Sequence, residues 1–226
     1  MKLLSAILGA ALLASCTGKP AKLILSPDQT QAASENPVSY IITDYKNKAG
    51  GENMPEWAER YFEGGTAGIE TMDIYTDRYV FVSRNEGSNF NSLIQWTRGF
   101  NAELDFPRLA AARIETRFTK SAPFPDVEYG AYYEELIRTA SDAVWTGAVK
   151  EDDFWILKNY FPSESEEPDQ NQRKESWEFF ILVTINKNLF AYQLNNVFQK
   201  TKPNPAPTKI QTAAVNRVKD RFFSGF

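Results

Sequence analysis

From residue 55 onward the hydrophobic positions change spacing several times, and each change predicts an element. Pro55-Glu56-Trp57 opens a short helix that reaches Phe62 and is stopped by Gly64-Gly65. Apolar and polar residues then alternate, most regularly in Arg78-Tyr79-Val80-Phe81-Val82, which predicts a strand within 72–83. Ser88 is placed as the N-cap of a helix with the stripe Phe90, Leu93, Ile94, Thr97, Phe100 and Leu104. Asp105 caps a second helix, with Pro107 in its first turn and Ala110, Ile114 and Phe118 facing inward. A third helix is expected over 126–142, with Tyr129, Tyr132, Tyr133, Leu136, Ile137 and Ala140 on one side.

The period then shortens to that of strands. Residues 144–149 and 154–161 flank Lys150-Glu151-Asp152-Asp153, which reads as a hairpin turn. A polar stretch over 162–175 follows, and then the most apolar run after the leader, 179–185, the expected central strand. Within that run Phe180 and Leu182 are placed on opposite sides of the sheet. Leu189, Phe190, Leu194, Val197 and Phe198 form the next helical stripe. Residues 201–208 carry three prolines, and a last helix repeats Ile210, Ala214, Val218 and Phe222 at four-residue steps, which need a surface to lie on. Strands joined by tight turns with helices in a block predict an α+β domain: a small antiparallel sheet, helices packed on one face, and a C-terminal helix after the proline-rich linker.

The chain before residue 55 is of another kind. Lys2 precedes an apolar stretch of 11 residues, Leu3 to Leu13, too short for a span, which needs about 20. It ends in Leu13-Ala14-Ser15-Cys16. This resembles the lipobox of bacterial lipoproteins. The resemblance implies removal of residues 1–15 as a signal peptide, lipidation of Cys16, and attachment to a membrane through the acyl chains on that residue. Cys16 is the single cysteine, so an exported thiol without a partner is accounted for. Thr17 stands where Asp would retain a lipoprotein in the inner membrane. That sorting rule points to the outer membrane, with the domain facing the periplasm or the cell surface. Residues 16–54, with Pro20, Pro27, Pro37, Gly50 and Gly51, read as the lipidated N-terminus and a tether. The short run Tyr40-Ile41-Ile42 within it has the composition of an edge strand. The divisions are therefore 1–15, 16–54, a globular domain over 55–200, and 201–226.

Composition removes several function classes. Loss of residues 1–15 takes away Lys2 and leaves 24 cationic against 29 acidic side chains, a net charge of −5, so nucleic acid is not an expected partner. The chain contains no histidine. Ser-His-Asp catalysis, Cys-His catalysis and His-ligated zinc are therefore excluded. No phosphate-cradling glycine motif and no nucleophile elbow occurs, and no cofactor is expected.

Carboxylate chemistry stays open, since a glycosidase needs only a matched acid and base. Glu134-Glu135 and Glu151-Asp152-Asp153 are the candidates, against their plainer reading as a solvated helix face and a turn. The acidic segment 164–169 lacks the alternating ligands and turn glycine of a calcium loop, and no metal is expected. Arg113, Arg117 and Lys120 share a helical face that could meet an anion or form the wet side of the helix. The five tryptophans offer a sugar-stacking platform or core; Trp145, Trp155 and Trp177 lie in or beside predicted strands and favour core. Phe226 matches the last residue of outer-membrane barrels, but their repeated alternating strands are missing.

Pro55-Glu56-Trp57 at the domain start, and the strand 179–185 leading through Asn186-Lys187 into a helix with Gln193-Leu194, resemble periplasmic lipoproteins, including those that activate penicillin-binding proteins. The resemblance spans about 55–200 and implies a non-catalytic domain that binds another envelope protein; it assigns no catalytic residue. The expected function is a non-enzymatic, membrane-anchored lipoprotein that docks an envelope protein or a peptidoglycan-associated partner. The alternatives are a carboxylate-dependent envelope hydrolase and a carrier or sensor of a small apolar ligand.

Overall fold

A computed structural model describes residues 39–121, 130–161 and 174–202, with a few isolated positions further on. The fold is α+β, built on one antiparallel sheet. Its strands are β1 (Ser39–Tyr45), β2 (Arg78–Gly87), β3 (Val149–Phe161) and β4 (Lys174–Asn186), in the order β1-β3-β4-β2. The helices are α1 (Glu56–Glu70), α2 (Phe90–Gly99), α3 (Ala102–Ser121), α4 (Gly130–Ser141) and α5 (Lys187–Lys200).

The run 179–185 lies in β4, between β3 and β2, and every residue of it is buried. A strand covered on both faces has no use for alternation, which is why this segment reads as a continuous apolar run. Ile181, Val183 and Ile185 face one side. There they pack with Phe81 of β2, Phe106, Ala110 and Ile114 of α3, Leu136 and Ala140 of α4, and Phe190 and Leu194 of α5. Phe180 and Leu182 face the other side together, in a cluster with Val80, Phe154 and Ile156 under Trp57, Ala58 and Ile69 of α1. The expectation that Phe180 and Leu182 oppose each other is thus corrected: residues two apart on a strand share a face. The helix block α2–α5 lies on one face, as the pattern implied. Helix α1 adds a layer on the other, because its own apolar positions need burial too.

Four local differences have physical reasons. The charged run 150–153 is not a hairpin turn, and 144–148 is not strand; β3 runs unbroken through the charges. A β-bulge between Lys150 and Asp152 makes Glu151 the extra residue. Helix α2 is capped by Asn89, whose side chain accepts from Ser92 N at 3.0 Å, rather than by Ser88. That helix ends at Gly99, with Phe100 extended, so Leu104 falls on α3 and is exposed. Helix α3 is capped by Asn101, whose Oδ1 accepts from Glu103 N and Leu104 N, while Asp105 reaches back to accept from Asn101 N. Asp105 therefore completes the cap instead of being it.

The expected tether over 16–54 ends earlier than its boundary, because Tyr40-Ile41-Ile42 sits in β1, paired with β3 at the sheet edge. Helix α1 does break at Gly64 and Gly65, where Gly65 adopts φ 63°, and then resumes to Glu70. A Cβ at Gly68 would collide with the Arg60 carbonyl oxygen, so the second segment folds closely onto the first. After Lys202 the described positions Lys209, Thr212, Ala213, Asn216 and Asp220 are helical and exposed, in keeping with a terminal helix. Its expected apolar stripe, Ile210, Ala214, Val218 and Phe222, lies outside the described residues.

Candidate functional site

Helix α1 covers only part of its face of the sheet. Towards the other end of the strands the alternate positions on that face turn polar: Arg84 and Glu86 on β2, Lys158 and Tyr160 on β3, Ser176 and Glu178 on β4, and Tyr40 on β1. The register gathers them. Lys158 Nζ contacts Glu178 Oε2 and lies 3.2 Å from Glu86 Oε2, and Tyr160 donates to Glu86 Oε1 at 2.6 Å. Arg84 stands 3.6 Å from the second Glu178 oxygen, and the Lys158 ammonium sits 4.6 Å over the Tyr40 ring.

The Lys158 and Glu178 side chains are 6% and 7% exposed, deep enough that neither charge could be kept without the other. Burial alone pulls the Lys158 amine down, but Glu178 and Glu86 outweigh it and push the pKa well above the ordinary lysine value. Burial likewise pushes the Glu86 carboxyl up, yet the Tyr160 hydroxyl and the Lys158 charge hold it below the usual range. Burial and the bond to Glu86 push the Tyr160 hydroxyl up to about 12. At neutral pH the amine therefore has no free lone pair, and Glu86 has no proton to give. This arrangement holds polar groups in place and offers no acid–base pair.

The sequence-level candidates fall elsewhere. Glu151 pairs with Arg78 at 2.8 Å and accepts from Thr184. Asp152 accepts the Trp57 indole N–H at 2.8 Å, and Asp153 bridges Lys46 at 2.8 Å and Lys150 at 3.2 Å. Burial pushes the Asp153 carboxyl up, and the hydrogen bonds and charges of Lys46 and Lys150 together more than reverse it, so it too sits below the usual range. Glu134 is exposed on α4, and Glu135 is tied to Arg138 one turn on. Helix α4 packs on the side of the sheet away from Glu151 and Asp152, and Asp153, on the α4 side, is taken up by Lys46 and Lys150.

Arg113 is no wet-face residue. Its guanidinium bonds Glu70 at 2.7 Å and the Val80 carbonyl at 2.6 Å, and lies 4.9 Å over the rings of Tyr79 and Phe81. Arg117 stands 6.0 Å over Tyr79. Trp145 is buried as expected, stacked on Phe190 at 5.1 Å with its N–H on the Ala140 carbonyl. Trp155 and Trp177 are half-buried, in a cluster with Phe90 and Phe179. Cys16, the segment 164–169, Phe226 and the Lys120 side chain lie outside the described residues.

The Lys158 cluster was missed in the sequence. Its signal was present: charged or hydroxylated residues at alternate positions, Arg84 and Glu86, Lys158 and Tyr160, Ser176 and Glu178, inside segments that are otherwise strand-like. Among the described residues no group of three or more Cys, Asp or Glu side chains is placed to hold a metal ion. No described helix is long and apolar enough to cross a membrane. No protein-family model, curated protein or solved structure matches this chain.

Proposed function

We propose that the chain is a lipid-anchored envelope protein whose domain binds an envelope protein or peptidoglycan-associated partner and catalyses no reaction. The anchor half of this reading is supported by Leu13-Ala14-Ser15-Cys16 at the end of an 11-residue apolar stretch, and Thr17 favours the outer membrane. The non-catalytic part of the reading is supported by one structural observation. The carboxylates with the strongest claim to chemistry, Glu86, Glu151 and Asp153, are each held by a cation or donor that also ties strands together. A carboxylate hydrolase at neutral pH needs one carboxyl pushed up so that it can donate a proton, whereas Glu86 and Asp153 are held down.

Acyl labelling tests the anchor. Incorporation of labelled palmitate is expected in the natural chain, together with a mature N-terminus at Cys16, and Cys16→Ser is expected to abolish both. A labelled Cys16→Ser protein, or a mature N-terminus elsewhere, would overturn the lipoprotein reading. Two or more acyl chains are needed for this, since a single myristoyl-length chain holds a protein on a membrane only marginally.

A further inference from the structure

Strand β1 ends the sheet on one side, and only part of its outer edge is guarded. Lys46 N donates to the Trp155 carbonyl at 3.1 Å, so on β3 the backbone groups of Trp155, Leu157 and Asn159 turn to β1. Those of Ile156, Lys158 and Tyr160 turn to β4. The register then makes Ile41 bond β3, whereas Tyr40 and Ile42 aim their N–H and C=O groups out of the sheet. Beyond the bulge after Ile42 the edge is plugged by its own side chains. Lys48 Nζ donates to the Thr43 carbonyl at 2.5 Å, and Asp44 Oδ1 accepts from Tyr45 N at 2.8 Å. Among the described residues no such plug stands at Tyr40 and Ile42.

An open strand edge is a template for another chain, and proteins blunt it with charge, proline or a covering segment. Tyr40-Ile41-Ile42 carries neither charge nor proline. The chain that enters β1 supplies a cover. Residues 17–38, outside the described residues, hold one run of three large apolar side chains, Leu23-Ile24-Leu25, set off by Pro20 and Pro27. Prolines at those positions fall where a short strand would end. Only residues 26–38 join the run to β1, so closing the loop costs little and attachment holds the run at about millimolar effective concentration. Tyr40 and Ile42 are half-buried on the α1 side, where Ile42 packs with the cluster around Phe154 and Phe180. A strand with Leu23 and Leu25 on that side continues the cluster outward.

We propose that Leu23-Ile24-Leu25 pairs with Tyr40-Ile41-Ile42 as an added edge strand, tying the tether back onto the domain. The pairing covers the open edge and sets how far the domain stands from its anchor. Fully extended chain reaches about 25 Å from Cys16 to Leu23 but about 80 Å from Cys16 to Ser39. A partner strand that takes the edge would therefore release the longer reach. This consequence rests on the lipid-anchor reading above, and the pairing itself does not.

Amide hydrogen exchange, read residue by residue by NMR on the full chain in detergent micelles, tests the pairing. The Tyr40 and Ile42 amides are expected to exchange at least about tenfold slower than open amides. Neighbouring residues of a strand turn their N–H groups to opposite sides, so one of Ile24→Pro and Leu25→Pro removes a donor aimed at β1. That variant is expected to return Tyr40 and Ile42 to the open rate. The Ile41 amide, turned to β3, stays slow in both variants and reports an intact sheet. Open-rate exchange at Tyr40 and Ile42 in the natural chain overturns the pairing, and so does protection that survives both prolines. Protection that grows with protein concentration overturns it as well, and makes a second copy the occupant. Slow amides in a chain that takes no acyl label at Cys16 keep the pairing and remove its effect on reach.

Discussion

Lys158 holds two carboxylates, of which Glu178 has little water to turn to while Glu86 is 37% exposed. Glu178 is as buried as the lysine, and Glu86 depends on Lys158 and Tyr160 together. Replacing the lysine by methionine keeps the stem and removes the charge, so Lys158→Met is expected to cost about 3–5 kcal/mol at neutral pH. The pH dependence follows from the direction of the Glu86 shift. In the natural chain its folded pKa is depressed, so its contribution is present above the unfolded value of about 4.3 and is lost as pH falls through the lower folded value. Without Lys158 only the hydrogen bonds from Tyr160 and Ser176 oppose the burial that pushes Glu86 up, so its folded pKa rises and protonation weakens the folded state less. The gap between the two proteins, measured by urea unfolding, is expected to be widest near pH 7 and to narrow below pH 4. A gap independent of pH would mean that Lys158 acts by packing alone.

At the scale of elements, β4 decides whether the domain folds. Phe180 and Leu182 are both close to fully buried under α1, and each contributes about 1.5–3 kcal/mol by burial. Leu182→Asp and Phe180→Asp, each placing an unpaired carboxylate there, are expected to unfold the domain, read as loss of the thermal transition. If both variants keep the natural Tm, the core described here is misplaced. This strand was legible in the sequence because uninterrupted apolar residues can only be a buried segment, and Asn186 with the stripe from Leu189 marked the helix after it. The bulge at Glu151 was not legible. Four consecutive charged residues satisfy every local rule for a turn, and only Arg78, Lys46 and Trp57, distant in sequence, make them tolerable inside a strand. The Lys158 cluster was hidden for the same reason: each member looks like a solvent-facing residue of a half-exposed strand until β3 and β4 are paired.

For the whole molecule the exposed question is the sheet's edge. Strand β2 lies at one end of the order β1-β3-β4-β2, and a free edge is a template for another chain. At Val80 that edge is closed by side chains from both layers: Glu70 at the end of α1 accepts from Val80 N at 2.9 Å, and Arg113 of α3 donates to Val80 O at 2.6 Å. The two side chains also pair with each other, so one ion pair clasps the edge between the helix on one face and the helix block on the other. Arg113 can do this because its planar fork reaches a carboxylate and a carbonyl at once while its flat face lies on Tyr79 and Phe81. Arg113→Ala removes the clasp and leaves Glu70 half-buried without its cation, at a cost of about 3 kcal/mol. It is also expected to convert a concentration-independent species into one that self-associates, because Val80 then offers an unmet carbonyl at an apolar edge. Arg113→Lys keeps the charge but cannot span both acceptors, so it is expected to recover part of the stability and little of the resistance to association. Sedimentation velocity over a range of concentrations separates the two effects. Arg113→Ala that is less stable yet stays at one sedimentation coefficient would show that the pair holds the layers together without guarding the edge.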